Sequence, residues 1–309
     1  MIGHIYISIK DIATLVGYEA HNGEYKINTE DTTKMYVEAK DGTETTSFYL
    51  NSNQINKTPP NSTDDYEHVE ITVPVTKIDN KWYIDSEGFM QAFNSAFYYN
   101  KETNKFQIQT LSYLVDYYKE HVKEYGYDKL SEDFNNQKAL IYGMIVASKS
   151  STDKFGVVNI NTKEEIIGPR YNNIEFLEGP KEFIITNSSD KVGITYSTGE
   201  TKISVKYDDI KVFNSTLGYY LVESNSKFGV IDSNEQLVIH MEYDVIGINS
   251  ESFIADSAKS QYMLYDNLIP ACVNGKWDIF DKHGEKITNE SYDTVRMCYN
   301  RRNDRKSCK

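Results

Sequence analysis

The chain has 309 residues, a net charge of −13, a pI near 5.0 and 39% hydrophobic residues. That is enough apolar content for packed cores in roughly two domains, and the acidic surface disfavours general nucleic-acid binding and docking on anionic lipid. No stretch approaches ~18 apolar residues, so no membrane insertion is expected, and three cysteines without CxxC spacing argue against a disulfide framework.

The N-terminal segment reads as a duplicated strand–helix–strand unit. Ile5-Tyr6-Ile7-Ser8 opens as a strand, a helix follows over Ile9 to Val16, and Gly17 leads to a strand through Glu24-Tyr25-Lys26-Ile27. The order returns with Trp82-Tyr83-Ile84-Asp85, a helix over Glu87 to Phe93, Asn94, and a strand at Lys105-Phe106-Gln107-Ile108. Tyr6 falls on Tyr83, Ile7 on Ile84, Ser8 on Asp85, Val16 on Phe93 and Gly17 on Asn94. Ser8 and Asp85 are placed to cap the two helices, and Gly17 and Asn94 to leave them through a left-handed turn. Between the copies, strands are expected at Lys34 to Glu38, Thr46 to Leu50 and Val69 to Val73, with a polar loop over Asn53 to Tyr66. Met1 runs almost directly into the first strand, so an upstream signal or anchor is expected to have preceded it.

Ile7-Ser8-Ile9-Lys10-Asp11-Ile12-Ala13 with Leu15-Val16-Gly17, and Ile84-Asp85-Ser86-Glu87-Gly88-Phe89, resemble the copper amine oxidase N-terminal-like domain of bacterial surface proteins. The resemblance covers about residues 1–110. It implies a small α+β module of the cell envelope without copper chemistry. The residues agree, since no His pair has metal-ligand spacing.

Residues 111–138 read as a helical connector. Leu111, Leu114, Val115, Tyr118, Val122 and Tyr125 form one apolar helical face ending near Gly126, and a second short helix is expected from Ser131, as cap, to Gln137.

Over residues 139–297 four segments repeat. Lys154-Phe155-Gly156-Val157 precedes Tyr171-Asn172; Lys191-Val192-Gly193-Ile194 precedes Tyr207-Asp208; Lys227-Phe228-Gly229-Val230 precedes Tyr243-Asp244; Lys276-Trp277-Asp278-Ile279 precedes Tyr292-Asp293. Each unit has a polar turn after its Gly strand: Asn161-Thr162-Lys163, Ser197-Thr198-Gly199, Ser233-Asn234-Glu235 and Lys282-His283-Gly284. Further strands are expected at Glu182 to Thr186, Tyr219 to Glu223 and Ile269 to Val273. The fourth unit lacks one, and Leu140 to Val146 looks like that strand moved to the front. An insertion falls within Asn249 to Asn267, and residues 298–309 form a basic tail.

These features resemble the WG repeat, a bacterial β-repeat, with Val192 and Asp278 as departures. What the resemblance implies is architecture: an all-β array, open and curved in preference to a small propeller-like ring. Phe155, Gly156, Tyr171, Gly193, Tyr207, Phe228, Gly229, Tyr243, Trp277 and Tyr292 are read as structural, since a single hairpin cannot bury its own face.

No HExxH, P-loop, GxSxG or complete EF-hand loop occurs. His68 with Glu70, and His240 with Glu242, share a strand face without a third ligand nearby in sequence. Asp208-Asp209 belongs to the repeated motif, and the equivalent pairs vary too much for a catalytic dyad. The expectation is a non-catalytic binding or scaffold protein of the bacterial cell envelope with no cofactor, presenting a β-repeat surface to a protein or glycan. The alternatives are a carbohydrate-active enzyme with a site assembled from distant residues, and a cytoplasmic interaction scaffold.

Overall fold

The computed structural model describes residues 5–22, 34–39, 45–58, 67–247 and 268–295. The chain is mostly β and divides into two compact units, Met1–Pro169 and Arg170–Lys309. The strand expected at Glu24 to Ile27, the insertion at 249–267 and the basic tail lie outside the described residues.

In the first unit, β1 (Tyr6–Ser8) leads into α1 (Ile9–Ala13) and a 3-10 turn (Thr14–Val16), and Gly17 exits at φ +87°. β2 (Tyr18–Asn22), β3 (Lys34–Ala39), β4 (Thr45–Tyr49), β5 (Gln54–Thr58) and β6 (Glu67–Glu70) form an antiparallel sheet in chain order. β5 occupies the stretch expected to be loop. It carries one large apolar residue, Ile55, which is buried because strands pair on both sides. β6 ends at Glu70, short of the Val73 expected. Ile71 still turns inward, and its N–H donates to the Asn53 carbonyl (2.7 Å).

β7 (Thr76–Ile78) and β8 (Lys81–Asp85) lead to α2 (Ser86–Phe93), and Asn94 leaves it in the left-handed region at φ +43°. The Asp85 carboxylate caps α2 by accepting from Gly88 N–H (2.9 Å), whereas Ser8 makes no cap bond to α1. β9 (Ser95–Asn100) and β10 (Lys105–Thr110) form a separate two-stranded hairpin.

The two copies meet at β1 and β8. These strands run antiparallel with Ile7 opposite Ile84, Tyr6 opposite Asp85 and Ser8 opposite Tyr83. Because Ile7 and Ile84 are equivalent in the duplication, a local pseudo-two-fold axis passes between them. α1, α2, Ile55, Trp82 and Phe89 then close one core around this pair.

α3 (Leu111–His121) starts where Thr110 accepts from Tyr113 N–H and continues as a 3-10 turn to Tyr125, with Gly126 at φ +80°. The connector then contains β11 (Lys129–Leu130). α4 (Phe134–Lys138) is capped by Asp133 and not by Ser131; Asp133 accepts from Asn136 N–H (3.0 Å), and Ser131 Oγ takes the Asn136 side chain instead. A 3-10 turn over Ala139–Tyr142 precedes β12 (Met144–Lys149), β13 (Lys154–Asn159) and β14 (Glu165–Tyr171).

β11-β12-β13-β14 is the first of four repeat sheets. Half of the stretch read as a displaced strand is thus helical, and the strand in its other half, β12, pairs with the Gly strand of its own unit. The second sheet is β15 (Asn173–Leu177), β16 (Glu182–Thr186), β17 (Val192–Tyr196) and β18 (Thr201–Tyr207). The third is β19 (Asp209–Asn214), β20 (Tyr219–Ser224), β21 (Lys227–Ile231) and β22 (Leu237–Tyr243). The fourth holds β23 (Val245–Ile246), β24 (Ile269–Val273) and β25 (Lys276–Phe280), with Trp277 and Tyr292 bridging at its outer side.

The repeated glycine sits opposite a bulge. Val192 pairs with Tyr207 and Ile194 with Ile203, so Gly193 alone faces three residues. Gly229 does the same between Phe228–Tyr243 and Val230–Ile239. The bulged strand crowds the glycine: a Cβ on Gly193 would lie 2.7 Å from Ile203 O and 2.8 Å from Val205 Cα. This fixes both the glycine and its distance to the tyrosine. Gly193→Ala is expected to cost about 1–3 kcal/mol through this backbone overlap. Gly179→Ala, with nothing within 4 Å of the added carbon, is expected to be near neutral. Denaturant unfolding of the two variants checks the contrast.

Candidate functional site

The repeat residues locate the joints between sheets. The first three sheets end at Tyr171, Tyr207 and Tyr243, and the residue that follows, Asn172, Asp208 or Asp244, leads into the next. The Asp208 carboxylate accepts from Lys191 Nζ of its own sheet and from Asn225 N–H (2.7 Å), in the β20–β21 turn of the next. Asp244 repeats this with Lys227 Nζ (2.5 Å) and Asn274 N–H (2.8 Å). Asp293 takes Lys276 Nζ (2.6 Å). The lysine bond first, and the backbone N–H second, hold the Asp208 and Asp244 carboxyls below the usual range.

A fifth such motif stands at Tyr127-Asp128. Asp128 accepts from Ser150 N–H (2.7 Å), in the turn of the first sheet, and its own N–H donates to Ser148 O (3.0 Å). Asp208 N–H to Glu223 O and Asp244 N–H to Cys272 O are the counterparts (both 2.8 Å). The first sheet therefore opens inside the connector.

The remaining repeat residues differ in burial. Tyr207, Tyr243 and Trp277 are buried, Phe155, Tyr171 and Phe228 are half-buried, and Tyr292 is exposed. Tyr243 packs edge-on against Phe280 (5.8 Å), and burial, with Glu242 and Asp278 nearby, pushes its hydroxyl up to about 12. Gly156 lies against the Tyr127 hydroxyl and the Ile167 carbonyl. Asp278, in the glycine position of the fourth sheet, accepts from Ser291 Oγ (2.7 Å) and Lys286 Nζ (2.8 Å). Glu235 holds the left-handed turn position (φ +62°) that Gly199 and Gly284 fill elsewhere. From there it reaches Ser204 N–H, Ser204 Oγ, Lys206 and the Tyr207 hydroxyl on the second sheet.

Three residues break the repeat and touch one another. Strand registers align Glu182 with Met144, Tyr219 and Leu268, and Tyr220 with Ile145, Phe183 and Ile269. Lys202 aligns with Val238. At the joint of the second and third sheets Lys202 Nζ donates to Glu182 Oε1 (2.5 Å) and to the Tyr220 hydroxyl (2.7 Å), and Tyr220 donates to Glu182 Oε2 (3.0 Å). The Lys202 and Glu182 side chains are 10% and 6% exposed. Burial opposes charge on Lys202, but the bonds to Glu182 and Tyr220 outweigh it and raise its affinity for the proton. All three groups are consumed by one another, which suits registry between sheets better than chemistry.

A second group of residues outside the repeat lies in the first unit. On α3, Leu111, Leu114 and Tyr118 face the core, while Tyr113, Tyr117 and His121 recur at four-residue steps on the other side. Tyr113 and Tyr117 are exposed, with their rings 6.3 Å apart and 21° from parallel. Tyr117 stacks on the His121 ring (4.2 Å, 11°), and His121 Nδ1–H donates to the Tyr117 carbonyl (2.7 Å). Tyr98, Tyr99 and Phe106 on the β9–β10 hairpin are also exposed. Among the described residues no group of three His, Cys, Asp or Glu could hold a metal ion, and no helix is long and apolar enough to cross a membrane.

The WG-containing repeat family matches residues 228–255, from Phe228 through the third Tyr-Asp motif. No curated protein matches the chain. Among solved structures, the WD40 β-propeller domain of Doa1 aligns over 88% of this chain and 72% of its own at 10% identity, with a TM-score of 0.24. Kluyveromyces lactis Hsv2p aligns over 82% and 72% at 9% identity, with a TM-score of 0.29. At these scores neither likeness carries an argument about fold or function.

Lys202→Met is expected to cost about 3–5 kcal/mol, because it strands the buried Glu182 carboxylate. Glu182→Met with Lys202→Val and Tyr220→Phe, which copies Met144, Val238 and Phe183, is expected to regain the parent's stability or exceed it. Urea unfolding of the three proteins checks both.

Proposed function

We propose that the protein is a non-catalytic binding or scaffold protein of the bacterial cell envelope that presents an aromatic surface to a protein or glycan partner. The observation that carries this reading is the row of stacked rings along α3, exposed Tyr113 and Tyr117 with half-buried His121. Tyr113, Tyr117 and His121 lie outside the buried core cluster that holds Leu111, Leu114 and Tyr118, with Tyr117 meeting Tyr118 edge-on (5.0 Å). Exposed tyrosines with few rotatable bonds are effective contact residues at binding surfaces. The sheets of residues 129–295 are read as WG-type repeats throughout, and residues 1–110 as a module similar to the copper amine oxidase N-terminal-like domain. The second resemblance supports an envelope location, and the first implies architecture alone.

The electrostatics also favour binding over catalysis. Asp11, Asp208, Glu235, Asp244, Asp278, Asp281 and Asp293 are all shifted down in pKa, toward permanent charge. A general acid for glycoside cleavage needs the opposite shift.

The double variant Tyr113→Ser with Tyr117→Ser is expected to keep the parent's melting temperature and to lose at least about 30-fold in affinity for its envelope target, as hot-spot aromatics do. Retention of solubilised envelope fractions on the immobilised full chain measures this. Equal retention by parent and variant would remove the aromatic row from the account.

A further inference from the structure

The internal duplication exposes a vacancy in the first unit. In the first copy the hairpin β2–β3 does not stand alone. β4 pairs along the outer edge of β3, from Lys34 opposite Tyr49 to Glu38 opposite Thr45, and β5 follows. In the second copy the equivalent hairpin is β9–β10, with Tyr18 matching Ser95 and Ala39 matching Thr110. Among the described residues no strand pairs with the outer edge of β10.

The helices report the same asymmetry. β4 and β5 of the first copy cover α2: Thr46 Oγ1 donates to Ala92 O (3.1 Å), and Lys57 Nζ donates to Gln91 O (3.0 Å) and Asn94 Oδ1 (2.7 Å). Gln91 and Ala92 are consequently buried, Ala92 completely. The pseudo-two-fold axis maps Gln91 onto Thr14 and Ala92 onto Leu15. Thr14 is exposed, and Leu15 is 73% exposed. Phe106 on β10, at the position of Met35, which pairs with Phe48 of β4, is 58% exposed. On the same face of this hairpin Phe97 and Ile108 are half-buried and pack on the core that holds Val16 of the first copy's helix, and Phe106 stacks on Phe97 (6.0 Å) with its other side exposed.

From this geometry we infer that the outer edge of β10, together with Thr14 and Leu15, is a docking site for a β-hairpin of a partner protein, the equivalent of β4–β5. The partner adds to the sheet by main-chain pairing, as unpaired edges allow. The duplication also states the chemistry the hairpin should carry. An aromatic residue lies opposite Phe106, as Phe48 lies opposite Met35. A threonine and, on the following strand, a lysine reach the carbonyls of Leu15 and Thr14, as Thr46 and Lys57 reach Ala92 and Gln91. This site is separate from the aromatic row of α3.

The test uses the full chain and a synthetic peptide with the sequence of residues 45–58, measured by hydrogen exchange and by titration. Saturating peptide is expected to slow exchange at least tenfold at the alternate Lys105–Gln109 amides that point away from β9. Leu15→Asp, a change at an exposed position, is expected to weaken the peptide at least tenfold with an unchanged melting temperature. Tyr113→Ser with Tyr117→Ser is expected to leave the peptide's affinity unchanged, which separates this site from the α3 surface. The inference is overturned if the outward-pointing β10 amides, those that do not bond β9, are already protected in the free protein, whether by a second copy or by another part of the chain. It is equally overturned if the peptide fails to slow them, or binds Leu15→Asp as well as the parent.

Discussion

The aspartate that follows Tyr207, and again Tyr243, is the contact on which the second unit depends. One oxygen is taken by a lysine of the sheet just finished, and the other by a backbone N–H in the sheet about to form, as at Asp208 and Asp244. A carboxylate has room for both, which a neutral side chain would fill less strongly. The chain therefore changes sheets at a charged hinge that is fully satisfied. The glycine bulge upstream sets where that hinge falls, because crowding at Gly193 and Gly229 fixes how the last strand approaches the tyrosine. Sheets joined this way in series can each bury a face on the next, as Tyr207 and Tyr220 do in one cluster and Tyr243 and Phe280 in another.

This constraint explains what the sequence made legible. Glycine and tyrosine recur at nearly constant spacing because a bulge of set size separates them, so four units could be read directly. The fifth tyrosine-aspartate pair, Tyr127-Asp128, escaped because α4 and a 3-10 turn lengthen its route to Gly156. The Glu182, Lys202 and Tyr220 group was hidden for a different reason. Each lies on a different strand, and only the packing of two sheets makes the three substitutions one event. β5 was missed because its single large apolar residue gives little periodic signal, while pairing on both sides holds it. The Ser8 position looked like a cap, yet only Asp85 makes that bond. Neither exposed surface of the first unit was legible either, since exposure of Tyr117 or Leu15 depends on what the fold leaves uncovered.

The two units divide the labour. Residues that recur in the repeat build joints, and those that break it, such as the buried lysine–glutamate–tyrosine group, specify which sheet follows which. The first unit carries aromatic and aliphatic side chains that its own core does not use. Its pseudo-two-fold pairing at Ile7 and Ile84 makes the inequality between copies visible, with one copy covered by a sheet and, among the described residues, no equivalent strands on the other.

The direct test of the joint is amide exchange in Asp208→Ala. Loss of this carboxylate should speed exchange at Asn225 and through Tyr219–Ile231 of the third sheet, while Tyr6–Thr110 of the first unit exchanges as in the parent. Unchanged exchange at Asn225 and the third sheet, or a uniform acceleration across the whole chain, would contradict an aspartate that couples one sheet to the next.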